Sequence, residues 1–417
     1  MDTGTVAVHE DRPEVALFGF GYDPFDHRMH EDPYPLYAWM RENAPLYRND
    51  ERDFWALSRY ADVLAALRNP KLYSNRKGIS LEPELWGPHA VKTSFFLAMD
   101  PPDHGPRRSL ISGVFTPRRM AALEPRVREI TRDRLAMLRD QPRFDFAADY
   151  AAALPNDVLC EMLGVPEEDW DLIRADTDAL NTREHRSDER GPTSVAAAVR
   201  MAEYFVDLVT RLRKHPGDDL TSALIAAEVD GERLTDSEIV GFLFVMVGAG
   251  NESTGKTIGN AWYHGCLHPE IQRAGLNGRA LAWSTETLRY DSASQMVARE
   301  LTRDTVIHDT PLPAGSRIAV LPACANRDPR VFPDPERYDL DRDTSKLISF
   351  GHGPHHCLGA ALARMEMHIA LEEIGALVSG YEIDTTRSHR VHSPHQRGFA
   401  SLPCEVTYRP KPLTPAA

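Results

Sequence analysis

A single cysteine, Cys357, stands where a sulfur could hold a metal. Phe350-Gly351-His352-Gly353-Pro354-His355-His356 precede it, Leu358-Gly359 follow, and Ala360 to Glu366 open a strongly helical run. Gly351 and Gly353 permit positive φ and a close approach of backbone to ligand. Leu358, Leu362, Met365 and Ile369 then recur on one helical face. A thiol at a helix N-terminus meets unpaired N–H groups and the positive end of the dipole, which lower its pKa. A thiolate beside a flat glycine surface suits a large planar metal cofactor bound through sulfur. Three plainer readings compete: a small core hydrophobe, a zinc cluster with His352, His355 and His356, and a redox thiol. The zinc reading puts its ligands on adjacent residues that splay apart, with no C-x-x-C or H-x-x-x-H pair to complete it. The redox reading lacks a resolving cysteine nearby. The F-x-x-G-x-x-x-C-x-G spacing is long and rarely met by chance.

Three further groups could do chemistry. Gly248-Ala249-Gly250-Asn251-Glu252-Ser253-Thr254 falls in the middle of an apolar helical run, which the capping box Thr235-Asp236-Ser237-Glu238 starts and which extends to about Leu267. Each glycine costs a helix about 1 kcal/mol, and a local rule broken inside a core element often marks a site. The plain alternative is a kink with a solvated glutamate. After Met99-Asp100-Pro101-Pro102, His104 and Arg108 lie four apart on one helical face. They could clamp an anion or form an ordinary solvated face. Glu286 and Arg289, three apart, would in most proteins be a surface ion pair of little weight.

The cysteine stretch closely resembles the haem-binding loop of cytochrome P-450 monooxygenases. The resemblance implies haem b as cofactor, with Cys357 its axial thiolate and the metal ligand, Phe350 packed nearby, Gly359 closing the loop, and His355 reaching a haem propionate. Residues 99–108 resemble the family's D-P-P-x-H-x-x-x-R segment, which makes His104 and Arg108 propionate ligands. Arg299 matches the third such ligand, although Ser292-Ala293-Ser294 replaces the usual proline pair before it. Residues 249–254 resemble the A-G-x-(D/E)-T-(T/S) oxygen-activation motif. Ala249, Gly250 and Glu252 match, Ser253 stands where threonine is usual, and Thr254 falls one place later. Glu286, Arg289 and, within Pro335-Glu336-Arg337-Tyr338, Arg337 resemble the E-x-x-R and P-E-R-F elements. They would form a buried charge network bracing the cysteine loop. Five motifs in the family's order run from about Asp32 to the C-terminus.

Several elements must position these groups. The pattern predicts a mainly α protein with small β-sheets: an N-terminal arm on the surface over residues 1–30, then a single domain over 31–417. Asp32-Pro33-Tyr34-Pro35 opens a helix, Phe54–Leu57 reads as a strand, and Tyr60–Leu67 as a helix. Ile79 to Leu97 is a loop with exposed-looking apolar side chains, and in the family it roofs the substrate pocket. Helices follow at Leu123–Leu138, Tyr150–Leu163, Trp170–Leu180 and Val195–Leu212. Asn181–Thr193 would be the lid loop. A helix from Thr235 to Leu267, about 45 Å long, must cross the core.

Bulk properties narrow the function. A formal net charge of −14 argues against a nucleic-acid binder, which would carry a basic face. Cys160, Cys266, Cys324, Cys357 and Cys404 show no disulfide spacing, which suits a reducing cytosol. No leader pattern or long apolar run occurs, so the expected location is cytoplasmic, with no membrane association.

The resemblance implies a monooxygenase that hydroxylates or epoxidises an apolar small molecule such as a terpenoid, steroid, polyketide or fatty acid. It would use O₂ and electrons from a ferredoxin and its reductase, since no flavin or nicotinamide motif is present. By family position Trp86, Phe95, Phe96, Val245, Ala249, Met296 and Phe399 would line the pocket, with Asn251 as a polar contact. Arg107, Arg118, Arg119 and Arg364 could dock the ferredoxin. Two rivals are a peroxide-driven haem-thiolate peroxygenase and a non-catalytic haem sensor or carrier. Glu252 and the Ser253 hydroxyl argue against both, because proton delivery to dioxygen is what an acid–alcohol pair supplies.

Overall fold

The capping box starts its helix as expected. In the computed structural model, which describes residues 13–181 and 191–410, the Glu238 N–H donates to Thr235 Oγ1 at 3.2 Å. The Thr235 N–H donates back to the Glu238 carboxylate at 2.9 Å. The helix so capped, Asp236–Val245, continues through a π-helical turn, Met246–Asn251, into the helix Glu252–Leu267. The single long helix expected from the sequence is thus one rod with a wider turn at its centre. Phe242, Leu243, Val247, Ile258, Ala261 and Trp262 are all buried along it, so it crosses the core.

The four helices expected between residues 120 and 215 form as Pro117–Leu138, Ala153–Leu163, Trp170–Asn181 and Pro192–Lys214. A second π turn, Phe146–Ala151, precedes the helix Ala153–Leu163. Of the expected lid loop, residues 182–190 lie outside the described residues. The helix Ala360–Leu377 packs on Pro117–Leu138, on Ala280–Tyr290 and on the crossing helix. Strands are few. A five-stranded sheet runs in the order Leu46–Asn49, Phe54–Leu57, Arg317–Val320, Val297–Leu301, Tyr73–Ser74, and a three-stranded sheet places Pro403–Tyr408 between Arg143–Asp145 and Val378–Ile383. The fold is mainly helical with small sheets.

Two expectations change. The N-terminal segment does not simply lie on the surface: Tyr22 and Met29 are buried in a cluster with Tyr37, Tyr47 and Phe54. In the loop from Ile79 to Leu97, Leu81, Phe95 and Phe96 are buried rather than exposed. The aromatic pair packs on the crossing helix, Phe96 lying 6.1 Å from the Phe242 ring. Among the described residues, no helix is long and apolar enough to cross a membrane.

Candidate active site

The cysteine loop is shaped by its glycines. Gly351 and Gly353 have φ of 69° and 73°, and a Cβ on Gly353 would lie 2.7 Å from the Leu67 carbonyl oxygen. The loop therefore presses on the helix Tyr60–Arg68. The Cys357 N–H donates to the Phe350 carbonyl at 2.8 Å. Cys357 is exposed as a residue, yet protein around the sulfur pushes the thiol pKa up by desolvation. The Gly359 N–H, Arg108 and Arg364 pull it the other way. The sequence alone favoured the opposite outcome, because a helix dipole is legible there and desolvation is not. Among the described residues no three His, Cys, Asp or Glu side chains are placed to hold a metal ion, which removes the zinc reading. All five cysteines are free.

Beside the cysteine loop stands a group of donors that protein satisfies only in part. The His104 and His355 rings are 4.2 Å apart. His104 Nε2 and both His355 ring nitrogens are buried with no hydrogen-bond partner. Burial first, then Arg299, His104 and Arg108, push His355 down to about 2. Burial takes Arg299 down to about 10 against the pull of Asp100. Arg299 Nη1 reaches only its neighbour's carbonyl, Ala298 O, at 2.7 Å, while Arg108 donates to His356 O at 2.7 Å. Asp100 is engaged by Ser74 Oγ and the Asn75 N–H. Four buried or half-buried donors in one place call for an anion with several oxygens.

On the crossing helix, Ala249 and Gly250 are exposed although Val247 and Asn251 beside them are buried. A Cβ on Gly248 would meet nothing within 4 Å, and neither would one on Gly359. Ser253 Oγ donates to Ala249 O at 3.3 Å and Thr254 Oγ1 to Gly250 O at 3.4 Å. Ser253 is half-buried while Thr254 is buried. Glu252, between Asn251 and Ser253, is also half-buried. The polar contact expected of Asn251 goes elsewhere: its Nδ2 donates to Asn156 Oδ1 at 3.1 Å.

The charge network forms with one substitution of parts. Arg289 donates to Glu286 at 2.9 and 2.7 Å, both side chains being fully buried. Arg337 is not its third member. Its side chain is 70% exposed, and only its carbonyl accepts from Arg289. Arg342 takes that place, with Nε 3.2 Å from Glu286 Oε1. The network touches the base of the cysteine loop, where Ser349 Oγ donates to Leu288 O and Asn326 bonds both Ser349 and Ile348.

The pocket residues divide. Phe95, Phe96, Val245 and Phe399 belong to the large core cluster. Met296 is buried in a different cluster with Leu81 and Tyr37, and Trp86 packs at its edge under the Arg317 guanidinium. Those two do not join the others. The arginines expected to dock a ferredoxin are not one free group either: Arg107 bonds Glu238 at 2.9 Å, Arg119 lies 3.7 Å from Asp218, and Arg364 covers the Phe350 ring. Sequence reasoning also passed over Asn156, Arg342 and Glu366. Glu366 is buried in the helix Ala360–Leu377, and its carboxyl is pushed well above the usual range by desolvation alone. No local spacing marks any of the three.

The orphaned histidine nitrogens and the arginines beside them fit the two carboxylates of a haem, and the uncovered glycine and alanine edge fits a flat ring. A thiol loop facing such a donor set defines a haem-thiolate protein. Residues 282–405 match the family model described as Cytochrome P450. The chain is 46% identical to the putative cytochrome P450 123 of Mycobacterium tuberculosis over 97% of this chain and 100% of that one. It is 36% identical to the vitamin D(3) 25-hydroxylase of Pseudonocardia autotrophica over 85% of this chain and 88% of that one. The solved structure of CYP109E1 from Bacillus megaterium in complex with corticosterone superposes with a TM-score of 0.81 at 28% identity, covering 91% of this chain and 99% of that one. The chain belongs to the cytochrome P450 family and is a cytochrome P450 monooxygenase with a haem-thiolate cofactor.

Proposed function

We propose that this monooxygenase hydroxylates or epoxidises an apolar small molecule of the steroid class, with dioxygen and electrons supplied by a ferredoxin and its reductase. The steroid reading draws on the vitamin D(3) hydroxylase and the corticosterone complex. It is also supported by the apolar wall that Phe95, Phe96, Val245 and Phe399 share with the core beside the crossing helix. Cys357 would hold the iron and Phe350 would pack near it. His104, Arg108, Arg299 and His355 would hold the propionates. Haem supplies the oxygen and electron chemistry once bound.

The chain's own task is to place substrate and protons. The observation that carries the reading is the Glu252–Ser253 pair beside the exposed Ala249–Gly250 edge. Ser253 Oγ donates to Ala249 O at 3.3 Å; in the proton role the hydroxyl would turn from that carbonyl to give its proton, and Glu252 would resupply it. Of the two hydroxyls Ser253 is the better placed, because Thr254 is buried. General-acid groups of this kind contribute on the order of 10²-fold. The test is Ser253→Ala: a steroid such as corticosterone should still shift the haem spin state, while product per NADH drops severalfold and peroxide rises. Wild-type product per NADH would remove Ser253 from the role.

A further inference from the structure

A wide turn poses a problem for the residues that follow it. In the ordinary helical ladder each residue's rotation is set by the bond four back. The π turn Met246–Asn251 breaks that register immediately before Glu252, Ser253 and Thr254. Contacts outside the ladder then matter for where these side chains point, and the hydroxyl bonds of Ser253 to Ala249 O and of Thr254 to Gly250 O are long, at 3.3 and 3.4 Å.

Two contacts outside the ladder bracket those three residues, and both lead to the same neighbour. On the N-terminal side, Asn251 closes the π turn and donates through Nδ2 to Asn156 Oδ1 at 3.1 Å. Asn156 lies in the helix Ala153–Leu163, and its own Nδ2 donates to Trp170 O at 3.2 Å. That second bond sets which way its amide faces and leaves the oxygen for Asn251. On the C-terminal side, Gly255 runs against the backbone that enters the same helix. A Cβ there would lie 2.7 Å from Ala151 O and 3.1 Å from Ala152 Cα. Both asparagines are buried, at 5% and 1% exposure. An apolar pair would satisfy the core with less desolvation, so a buried amide pair makes sense where it specifies one arrangement.

We propose that Asn251 and Asn156 are positioning residues: their side-chain bond, with Gly255 as the second contact, fixes the rotation of Glu252 and Ser253 after the π turn. The inference rests on the reading of Glu252 and Ser253 as the proton-handling pair.

The test compares wild type, Asn251→Ala, Asn156→Ala and the double variant as holoenzymes. Asn251→Ala leaves the Asn156 bond to Trp170 intact and so separates the tie from general damage to the helix. Hydrogen exchange is the first readout. Amides of residues 246–254 should exchange about 10-fold faster in each variant, as expected for loss of one buried hydrogen bond, with other regions unchanged. The double variant should be no faster than Asn156→Ala within about twofold, since the Asn251–Asn156 bond is lost in all three and the Asn156–Trp170 bond is already lost in Asn156→Ala. Carbon monoxide on the reduced protein is the second probe. Its stretching band reports the groups above the iron and should broaden or split in the variants, while haem content stays at the wild-type level. Wild-type exchange at 246–254 in Asn251→Ala overturns the proposal. So does acceleration spread over the whole chain with an unchanged carbonyl band. If Ser253→Ala keeps product coupled to NADH while Asn251→Ala frees the segment, the proton role fails and the tie stands. If Ser253→Ala uncouples and Asn251→Ala leaves exchange and band unchanged, the tie fails alone.

Discussion

Arg289 and Arg299 are both buried and close in sequence, but their surroundings are opposite. Arg289 spends its donors on Glu286, Asn326 O, Pro335 O and Arg337 O. Arg299 has Ala298 O, an attraction to Asp100 whose oxygens already accept from Ser74 and Asn75, and the company of His355, whose buried ring nitrogens lack a hydrogen-bond partner. A buried charge that protein alone satisfies is part of the frame. A buried charge surrounded by other donors is half of an interaction whose other half comes from a ligand. The same residue type therefore separates scaffold from site without reference to any motif.

That contrast can be broken or sharpened by substitution, beginning with the frame. Arg289→Ala leaves Glu286 buried with Arg342 and the Asp339 N–H as its remaining partners and should cost about 3–5 kcal/mol, a large share of a domain's stability. Urea unfolding of the purified protein measures this, and loss of soluble protein is the extreme outcome. Arg299→Leu should behave in the reverse sense. The haem-free protein should hold or raise its urea midpoint, because a desolvated cation with a single backbone acceptor leaves the core, while haem transfer to apomyoglobin should become about 10-fold faster for loss of a charge-assisted bond. Equal destabilisation of the haem-free protein by both variants would erase the distinction.

Glu366 offers a third case, an acid whose carboxyl is pushed well above the usual range by burial. The folded chain keeps a proton that the unfolded chain releases above about pH 4.5, so stability falls as pH rises through that range. Glu366→Gln should flatten this slope between pH 5 and 8, as read by thermal melts at several pH values. A slope unchanged from wild type would mean that the carboxyl has a partner. The smallest effect belongs to Arg337→Ala, whose side chain is exposed. Stability should stay within about 0.5 kcal/mol of wild type, in contrast to its motif neighbour Arg289.

Much of this was legible from spacing. The cysteine loop, His104 with Arg108, Glu286 with Arg289 and the capped crossing helix all form where the sequence pattern puts them, since each depends on contacts within a few residues. What could not be read depends on distant partners. A π turn and an α turn bury the same apolar residues, so Met246–Asn251 left no mark in periodicity. Asn251 meets Asn156, and Arg342 displaces Arg337, through tertiary packing that no local spacing encodes. The proline and glycine around Tyr22 suggest a surface arm. The burial of Tyr22 depends on Tyr37, Tyr47 and Phe54, which lie further along the chain. A helix N-terminus shows in sequence, whereas the desolvation of the Cys357 sulfur by protein around it does not.

The bonds from Ser349 to Leu288 and from Asn326 to Ile348 and Ser349 also bear on the order of assembly. The helix that carries Glu286 and Arg289 precedes Cys357 in the chain but packs on Ala360–Leu377, which follows it, so the cysteine loop is held between an element made before it and one made after it. Closing the loop then needs only contacts within the chain: Cys357 N–H to Phe350 O, and Gly353 against Leu67.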